Sequence, residues 1–308
     1  EHHFIKKSAE ENEKTILADD PRVYAIKPTG EVENELLSAI QTFVSERFTD
    51  TRISVSMLNN FFDCPWKWYF RNFLRLPETK SVSLSLGSAV HSTIEYILKS
   101  KTLPKEDNIK QYLAQCLKQE GVSDKKELAR LCKDGYVAIE NWIIGYYKTL
   151  AGNRQSERDI SFKDKQFPRL TMYGKIDLTE RFSDGTIMVT DFKTGSSKTT
   201  GVIEKIDDEG RLSGLMRQLA MYSYLIRGAE DKEVIESRLL FLEEDPKNKN
   251  VLYRTRIADE QIDLLVRDIT DYEKLLMTGE WTKRPCQAKS YNGSECEYCK
   301  RIEKILEK

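Results

Sequence analysis

Asp177 and Asp191 are equidistant from Asp184, in a stretch that reads Gly174-Lys175-Ile176-Asp177, then Ser183-Asp184-Gly185, then Asp191-Phe192-Lys193-Thr194-Gly195. Leu170, Met172, Gly174, Ile176 and Leu178 alternate with polar neighbours before the Ser-Asp-Gly turn, and Ile187 and Val189 do so after it. That period of two marks a β-hairpin. With a three-residue loop of Ser183, Asp184 and Gly185, the two aspartates face each other across the strands, their Cβ atoms about 5 Å apart. A two-residue loop would put them on opposite faces. Facing carboxylates repel, and keeping both ionised in a half-buried place calls for a cation between them; hard oxygens of this kind suit Mg2+ or Mn2+. Lys193, two residues beyond Asp191, lies on the same face and brings a positive charge beside that ion.

Other residues could join this pair. In Gly87-Ser88-Ala89-Val90-His91-Ser92-Thr93-Ile94-Glu95, His91 and Glu95 share one helix face at i and i+4, and Gly87 allows another backbone to come close. With His2 and His3 set aside as a tag remnant or a cut within a longer protein, His91 is the only histidine. Beside a carboxylate pair it reads as a metal ligand, the alternative being a structural histidine. Gln218 and Tyr222 are also at i and i+4; alone they would be a polar stripe on an amphipathic helix. No Ser/His/Asp or Cys/His set competes for nucleophilic chemistry. Six cysteines in 308 residues are too sparse for a disulfide scaffold. Cys116 and Cys132 fall among leucines at helical spacing, as small core residues. Cys64, Cys286, Cys296 and Cys299 include a C-x-x-C pair and satisfy a tetrahedral zinc site.

The elements that must position these groups follow from the same patterning. Residues 1–50 hold eleven acidic and six basic side chains, with Val32, Leu36, Leu37, Ile40, Phe43 and Val44 at helical spacing, and read as a helical N-terminal extension. Ser54 or Ser56 caps a helix that Cys64-Pro65 interrupts. The run from Trp66 to Arg75 interleaves aromatics with Lys and Arg; it suits contact with a strand's phosphates and bases, or else a helix with core aromatics and solvated charges. Helices are expected over about 85–99, over about 105–150 with breaks at Gly121 and Asp134-Gly135, over 215–227 and over 258–277, with strands at 234–243 and 251–257. The expected architecture is α/β, a central mixed sheet flanked by helices. The 39% apolar content supports a large core, and 49 basic against 50 acidic residues exclude a uniformly basic nucleic-acid surface. No apolar run reaches the ~18 residues of a membrane span and no secretory signal is visible, so a cytoplasmic location is expected. No G-x-x-x-x-G-K-S/T loop occurs, so ATP-driven work would need a partner or further sequence.

In order, G-x-x-x-H-x-x-x-E at Gly87 to Glu95, G-x-I-D at Gly174 to Asp177, D-F-K-T-G at Asp191 to Gly195 and Q-L-x-x-Y at Gln218 to Tyr222 resemble the RecB-type branch of the PD-(D/E)XK nucleases. The resemblance covers about Ile53 to Cys299. It implies a restriction-endonuclease-like core over 51–308, with a helical insertion at about 100–158 and a cysteine-rich tail at 281–308 that clamps the termini. It further implies Mg2+- or Mn2+-dependent cleavage of DNA, with an exonuclease of recombination and repair as the expectation, and a helicase motor domain or subunit as partner. Carried over by position, His91, Asp177 and Asp191 would be metal ligands, with the carbonyl of Phe192 as a fourth. Lys193 would activate the attacking water and steady the phosphate charge, Gln218 and Tyr222 would position it, and Glu95 would support the site. AddB-type and CRISPR-type members of the branch hold a 4Fe-4S cluster between one upstream and three downstream cysteines. Here Cys64, Cys286, Cys296 and Cys299 would do so, although Ile305 stands where the family places its last cysteine, and structural zinc is the rival. A nuclease-like DNA-binding or scaffold module that does not cut is the alternative, and a zinc-organised interaction protein a weaker third.

Overall fold

The fold comes from a computed structural model, which describes residues 30–49, 51–78, 80–243, 251–288 and 296–306, with side chains from residue 35 onward. Among the described residues, six strands form one mixed sheet: β1 (Thr51–Ile53), β2 (Arg154–Phe162), β3 (Leu170–Arg181), β4 (Ile187–Ser196), β5 (Val234–Glu243) and β6 (Leu252–Thr255). β3 and β4 form the expected hairpin, paired from Leu178↔Thr190 to Arg181↔Ile187. The Phe182 N–H donates to the Thr186 carbonyl, enclosing Ser183, Asp184 and Gly185 as the loop, and Gly185 takes the left-handed φ of 86° that such a loop requires. β4 then runs parallel to β5, and β6 closes that edge antiparallel.

β3 carries the strand arrangement on which the centre of the molecule turns. Met172 pairs with both Ile53 of β1 and Phe162 of β2, and Leu178 pairs with both Ser156 of β2 and Thr190 of β4. So β2 holds one edge of β3, while β1 and β4 share the other at opposite ends. Between them, Tyr173 to Asp177 carry no ladder on that edge. The fork leaves backbone groups to be satisfied by side chains.

Two helical layers bury the two faces. On one lie α1 (Gly30–Arg47), α2 (Val55–Asp63), the short α3 (Pro65–Trp68), α8 (Gly214–Glu230) and α9 (Asp259–Thr278), packed with Ile176, Val189, Leu239 and Phe241 of the sheet. On the other lie α4 (Val82–Lys99), α5 (Glu106–Gln119) and α6 (Lys125–Gly145), packed with Leu178, Phe192, Leu240 and Leu242. β5 alternates between the two layers, as a strand buried on both sides does. β3 does not: Ile176 and Leu178 enter opposite layers, so the period of two breaks at Asp177. The remaining α-helices among the described residues are α7 (Thr200–Ile203) and α10 (Glu297–Leu306).

Several expectations change in detail. Gly121 ends α5 with φ 92°, but α6 runs unbroken through Asp134-Gly135. A Cβ on Gly135 would lie 3.1 Å from Leu86 and 3.2 Å from Leu113, so this glycine serves packing instead of breaking the helix. The insertion is α-helical to Gly145 and adds a 3-10 turn at Tyr147–Thr149, and 154–162 is a strand of the sheet. Trp66, Trp68, Tyr69 and Phe70 are buried against Trp281, Phe61 and Tyr272, with the Trp68 indole N–H donating to the Tyr272 hydroxyl at 3.0 Å. Lys67 pairs with Asp63 and Arg71 with Glu78. Of the two readings of that segment, the core one holds for these aromatics. Residues 1–29 of the N-terminal extension lie outside the described residues; α1 packs on α9, with Val44 and Phe48 in the core and Leu36 and Phe43 exposed.

Three helices are locked by one buried carboxylate. Asp268 of α9, fully buried, accepts from Arg211 Nη1 at 2.9 Å and from Arg217 Nε of α8 at 2.8 Å, and Arg217 Nη1 reaches Asn59 of α2 at 2.6 Å. Removing the anion takes from the buried Arg217 guanidinium the carboxylate it pairs with, whereas Arg211 keeps Asp271 and Glu209. Asp268→Ala should therefore lower unfolding free energy by about 3–5 kcal/mol, read by urea denaturation.

Candidate active site

The strand fork, α4 and α8 enclose a groove of about 580 Å³, lined by His91, Glu95, Glu157, Lys175, Asp177, Asp191, Phe192, Lys193, Gln218 and Tyr222 among others. α4 can lie close because a Cβ on Gly87 would come within 3.0 Å of the Thr194 hydroxyl. α8 lies close because Gly174 has no side chain: a Cβ there would meet Leu225 at 2.7 Å and the Tyr222 ring at 3.6 Å.

Asp191 is 2% exposed and sits at the centre of a polar network. Its Oδ1 accepts from Gln218 Nε2 at 2.6 Å, and its Oδ2 faces Lys193 Nζ at 2.7 Å in an ion pair that lacks hydrogen-bond alignment. The Gln218 amide bridges, because its Oε1 accepts from Lys193 Nζ at 2.6 Å while its Nε2 also donates to the Tyr222 oxygen at 2.8 Å. The Tyr222 O–H has two acceptors within reach, the Lys175 carbonyl freed by the fork at 3.0 Å and Asp191 Oδ1 at 3.1 Å. Burial pushes the Asp191 carboxyl up, Asp177 adds to this, and Lys193 and His91 oppose it; the net direction is upward. Burial, reinforced by Asp191 and Asp177, holds the Tyr222 phenol well above its ordinary value, so it remains a donor.

Asp177 continues the hairpin register one step beyond the last ladder pair, but its side chain turns to other partners. Its Oδ2 accepts the Phe192 N–H at 2.7 Å, and its Oδ1 lies 3.5 Å from His91 Nδ1. Glu157 Oε1 lies 4.0 Å from the same imidazole nitrogen, and Glu157 Oε2 pairs with Lys175 Nζ. His91, Glu157 and Asp177 thus place three ligand atoms within 4.8 Å of one another, a mixed nitrogen and oxygen set that fits a divalent cation. The Phe192 ring is buried, edge-on to His91, with ring centroids 6.2 Å apart. Glu95 lines the rim and pairs with Lys99, apart from the Asp191 network.

The family profile described as the PD-(D/E)XK nuclease superfamily matches residues 52–303. The chain belongs to the PD-(D/E)XK nuclease superfamily. Its fold is similar to the crystal structure of a candidate exonuclease from Eubacterium rectale, with TM-score 0.52 and 17% identity over 74% of this chain and 82% of that one. Two further solved structures align more loosely. One is SSO0001, at TM-score 0.27, 14% identity, 67% of this chain and 83% of that one. The other is VC1899 from Vibrio cholerae, at TM-score 0.21, 9% identity, 74% of this chain and 56% of that one. No curated protein matches the sequence. Nucleases of this superfamily use divalent metals, and among the described residues no helix is long and apolar enough to cross a membrane.

Glu157 is a carboxylate of this nuclease's groove that sequence patterning did not disclose. It sits in β2 opposite Asp177, yet the ladder skips that pair, and Glu157 adopts a left-handed φ of 48°. Such a conformation costs a glutamate about 1–3 kcal/mol and is held only where surroundings enforce it.

Away from the groove, Cys64, Cys286, Cys296 and Cys299 gather with all four Sγ atoms within 4.8 Å of one another, a donor set able to hold a metal or metal cluster. Cys116 is buried in the second core and Cys132 packs beside it.

The hydroxyl network makes a direct stability prediction. Tyr222→Phe removes an acceptor from Gln218 and a donor from the Lys175 carbonyl and Asp191. Unfolding free energy should fall by about 1–3 kcal/mol in chemical denaturation, with the sheet signal in circular dichroism unchanged.

Proposed function

We propose that this chain is a Mg2+- or Mn2+-dependent deoxyribonuclease, an exonuclease hydrolysing phosphodiester bonds at DNA ends. The observation that carries this reading is the convergence of His91, Glu157, Asp177, buried Asp191 and Lys193 in one open groove. Asp177, Asp191, His91 and the Phe192 carbonyl would hold the cation, and Glu157 would add a further carboxylate. A divalent ion bound there would lower the pKa of an attacking water and neutralise charge growing on the phosphate. Lys193 would orient that water and face the same developing charge. Gln218 holds the Lys193 ammonium through its oxygen and Asp191 through its nitrogen, and Tyr222 holds Gln218. Glu95 supports the rim. The hydroxyls of Ser88, Ser92 and Thr194 line the groove and offer donors to a strand's phosphates. Such an enzyme would work in the cytoplasm at recombination and repair of strand ends, a reading supported by the resemblance to the RecB-type branch, with unwinding supplied by a separate motor domain or subunit. A metal group at the four cysteines would tie Cys64 to the C-terminal tail.

Incubation of end-labelled single- and double-stranded DNA with Mg2+ or Mn2+ tests the reading. Asp191→Ala and Lys193→Ala should each lower the cleavage rate by about 10²–10³-fold or more, and Glu157→Gln should weaken metal affinity by about 10–100-fold. Equal cleavage by all three variants and the parent would sink the assignment. Tight DNA binding without cleavage under any divalent metal would establish the non-cutting DNA-binding module instead.

The pH dependence has a definite sign. Burial pulls the His91 imidazole down, but Asp177, Asp191 and Glu157 more than offset it, and its pKa rests above the ordinary value. The neutral ring is the metal ligand, so proton and metal compete. At subsaturating Mg2+, cleavage should fall by about tenfold per pH unit below that raised value, and added metal should restore it. An acid loss that no metal concentration reverses would count against His91 as a ligand.

A further inference from the structure

The sulfur spacing at the four-cysteine group does not fit the cluster that the RecB-type resemblance implies. Cys64 Sγ lies 3.7 Å from Cys299 Sγ and 3.7 Å from Cys296 Sγ, and all four sulfurs fall within 4.8 Å of one another. Four thiolates at about 2.3 Å from a single tetrahedral ion stand about 3.8 Å apart, which follows from the tetrahedron's edge. A 4Fe-4S cubane puts a different iron under each thiolate, and the iron–iron edges spread the sulfurs well beyond 4.8 Å. The separations are equally too long for a disulfide, whose sulfurs bond at about 2.05 Å. From this spacing we propose that Cys64, Cys286, Cys296 and Cys299 bind one Zn2+ and form a redox-inert clamp.

The backbone around the group holds each cysteine in place. Cys64 caps α3, its sulfur accepting the Lys67 N–H at 3.4 Å, which is how a thiolate ligand is steadied by the protein. The Cys286 turn is fixed beside it, because the Gln287 and Ala288 N–H groups donate to the Asp63 carbonyl at 2.7 and 3.0 Å. Cys296 immediately precedes α10 and Cys299 lies in its first turn, so the C-x-x-C pair presents both sulfurs from one helix start. Tyr298 of the same turn donates its hydroxyl to Glu78 at 2.6 Å, and Ile302 one turn on is buried. Ile305, in the place of the family's usual last cysteine, is 41% exposed and outside the group. Four thiols so close would repel on ionising, and a single doubly charged soft-tolerant ion removes that repulsion.

The test uses the full chain purified without oxygen from cells supplied with both iron and zinc. Elemental analysis and assay of acid-labile sulfide should find one zinc per chain, no sulfide and no visible absorbance. Replacement by Co2+ should give the intense visible bands of a tetrahedral thiolate site. Cys286→Ser should lose most of the bound zinc, whereas Cys132→Ser, outside the group, should retain it. Iron with stoichiometric sulfide and a colour that bleaches on reduction would overturn the proposal. So would a chain carrying neither metal whose four thiols all react with a thiol reagent. None of these readouts depends on DNA cleavage, so the clamp and the nuclease reading stand or fall separately.

Discussion

A carboxylate buried as deeply as Asp191 is the constraint around which this molecule is organised. Left alone, such a charge would cost several kcal/mol, and burial does push its pKa upward. Three side chains from two elements offset the penalty: Lys193 from its own strand, and Gln218 and Tyr222 from α8. For the last two to arrive, α8 has to press directly on β3. That requires Gly174, because any Cβ there would collide with Leu225. The strand fork completes the arrangement by leaving the Lys175 carbonyl for Tyr222 to satisfy. The centre of this PD-(D/E)XK fold is therefore an electrostatic problem first and a packing solution second.

Much of this was legible in the sequence because it depends on local periods. The hairpin register is set by loop length and strand alternation, and Leu178 does pair with Thr190 as the symmetric loop requires. Gln218 and Tyr222 meet because side chains four apart on a helix always can. Other features depend on distant surroundings and were closed to such reading. The same alternation that positions Leu170 to Ile176 fails at Asp177, where the ladder ends on one edge and Glu157 interrupts it on the other. Glu157 itself lies in Arg-Gln-Ser-Glu-Arg-Asp, a polar run without strand alternation, and a non-glycine residue gives no local sign of a left-handed backbone. Gly135 is the converse case. Its type signals a helix break, yet the space it leaves for Leu86, Leu113 and Val90 decides its role.

The aromatic segment after Cys64 shows how burial reassigns residues that composition leaves ambiguous. Trp66, Trp68, Tyr69 and Phe70 have faces suited to stacking on bases, but each is committed to its neighbours in the core. Three guanidiniums, from Arg211, Arg217 and Arg284, surround Phe62 at 4.2, 5.1 and 5.4 Å from its ring centre. Arg211 and Arg217 are buried and already paired with carboxylates, so positive charge here serves internal cohesion instead of an external anion.

That same junction couples the two metal-capable regions of the chain. α2 ends at Asp63, whose carbonyl holds the Cys286 turn, and Cys64 follows at once. Four residues back, Asn59 donates to the Gly214 carbonyl at 3.2 Å and accepts from Arg217, the residue immediately before Gln218. Arg217 is in turn fixed by Asp268 of α9. A displacement of the cysteine group would thus move the end of α2, and α2 is bonded to the first turn of the helix that presents Gln218. Because Gln218 spans Lys193 and Asp191 with two 2.6 Å hydrogen bonds, even a small shift of α8 would break one of them. Holding the end of α2 to the C-terminal tail at the cysteines is therefore a way of keeping the Gln218 amide in register through Asn59 and Arg217.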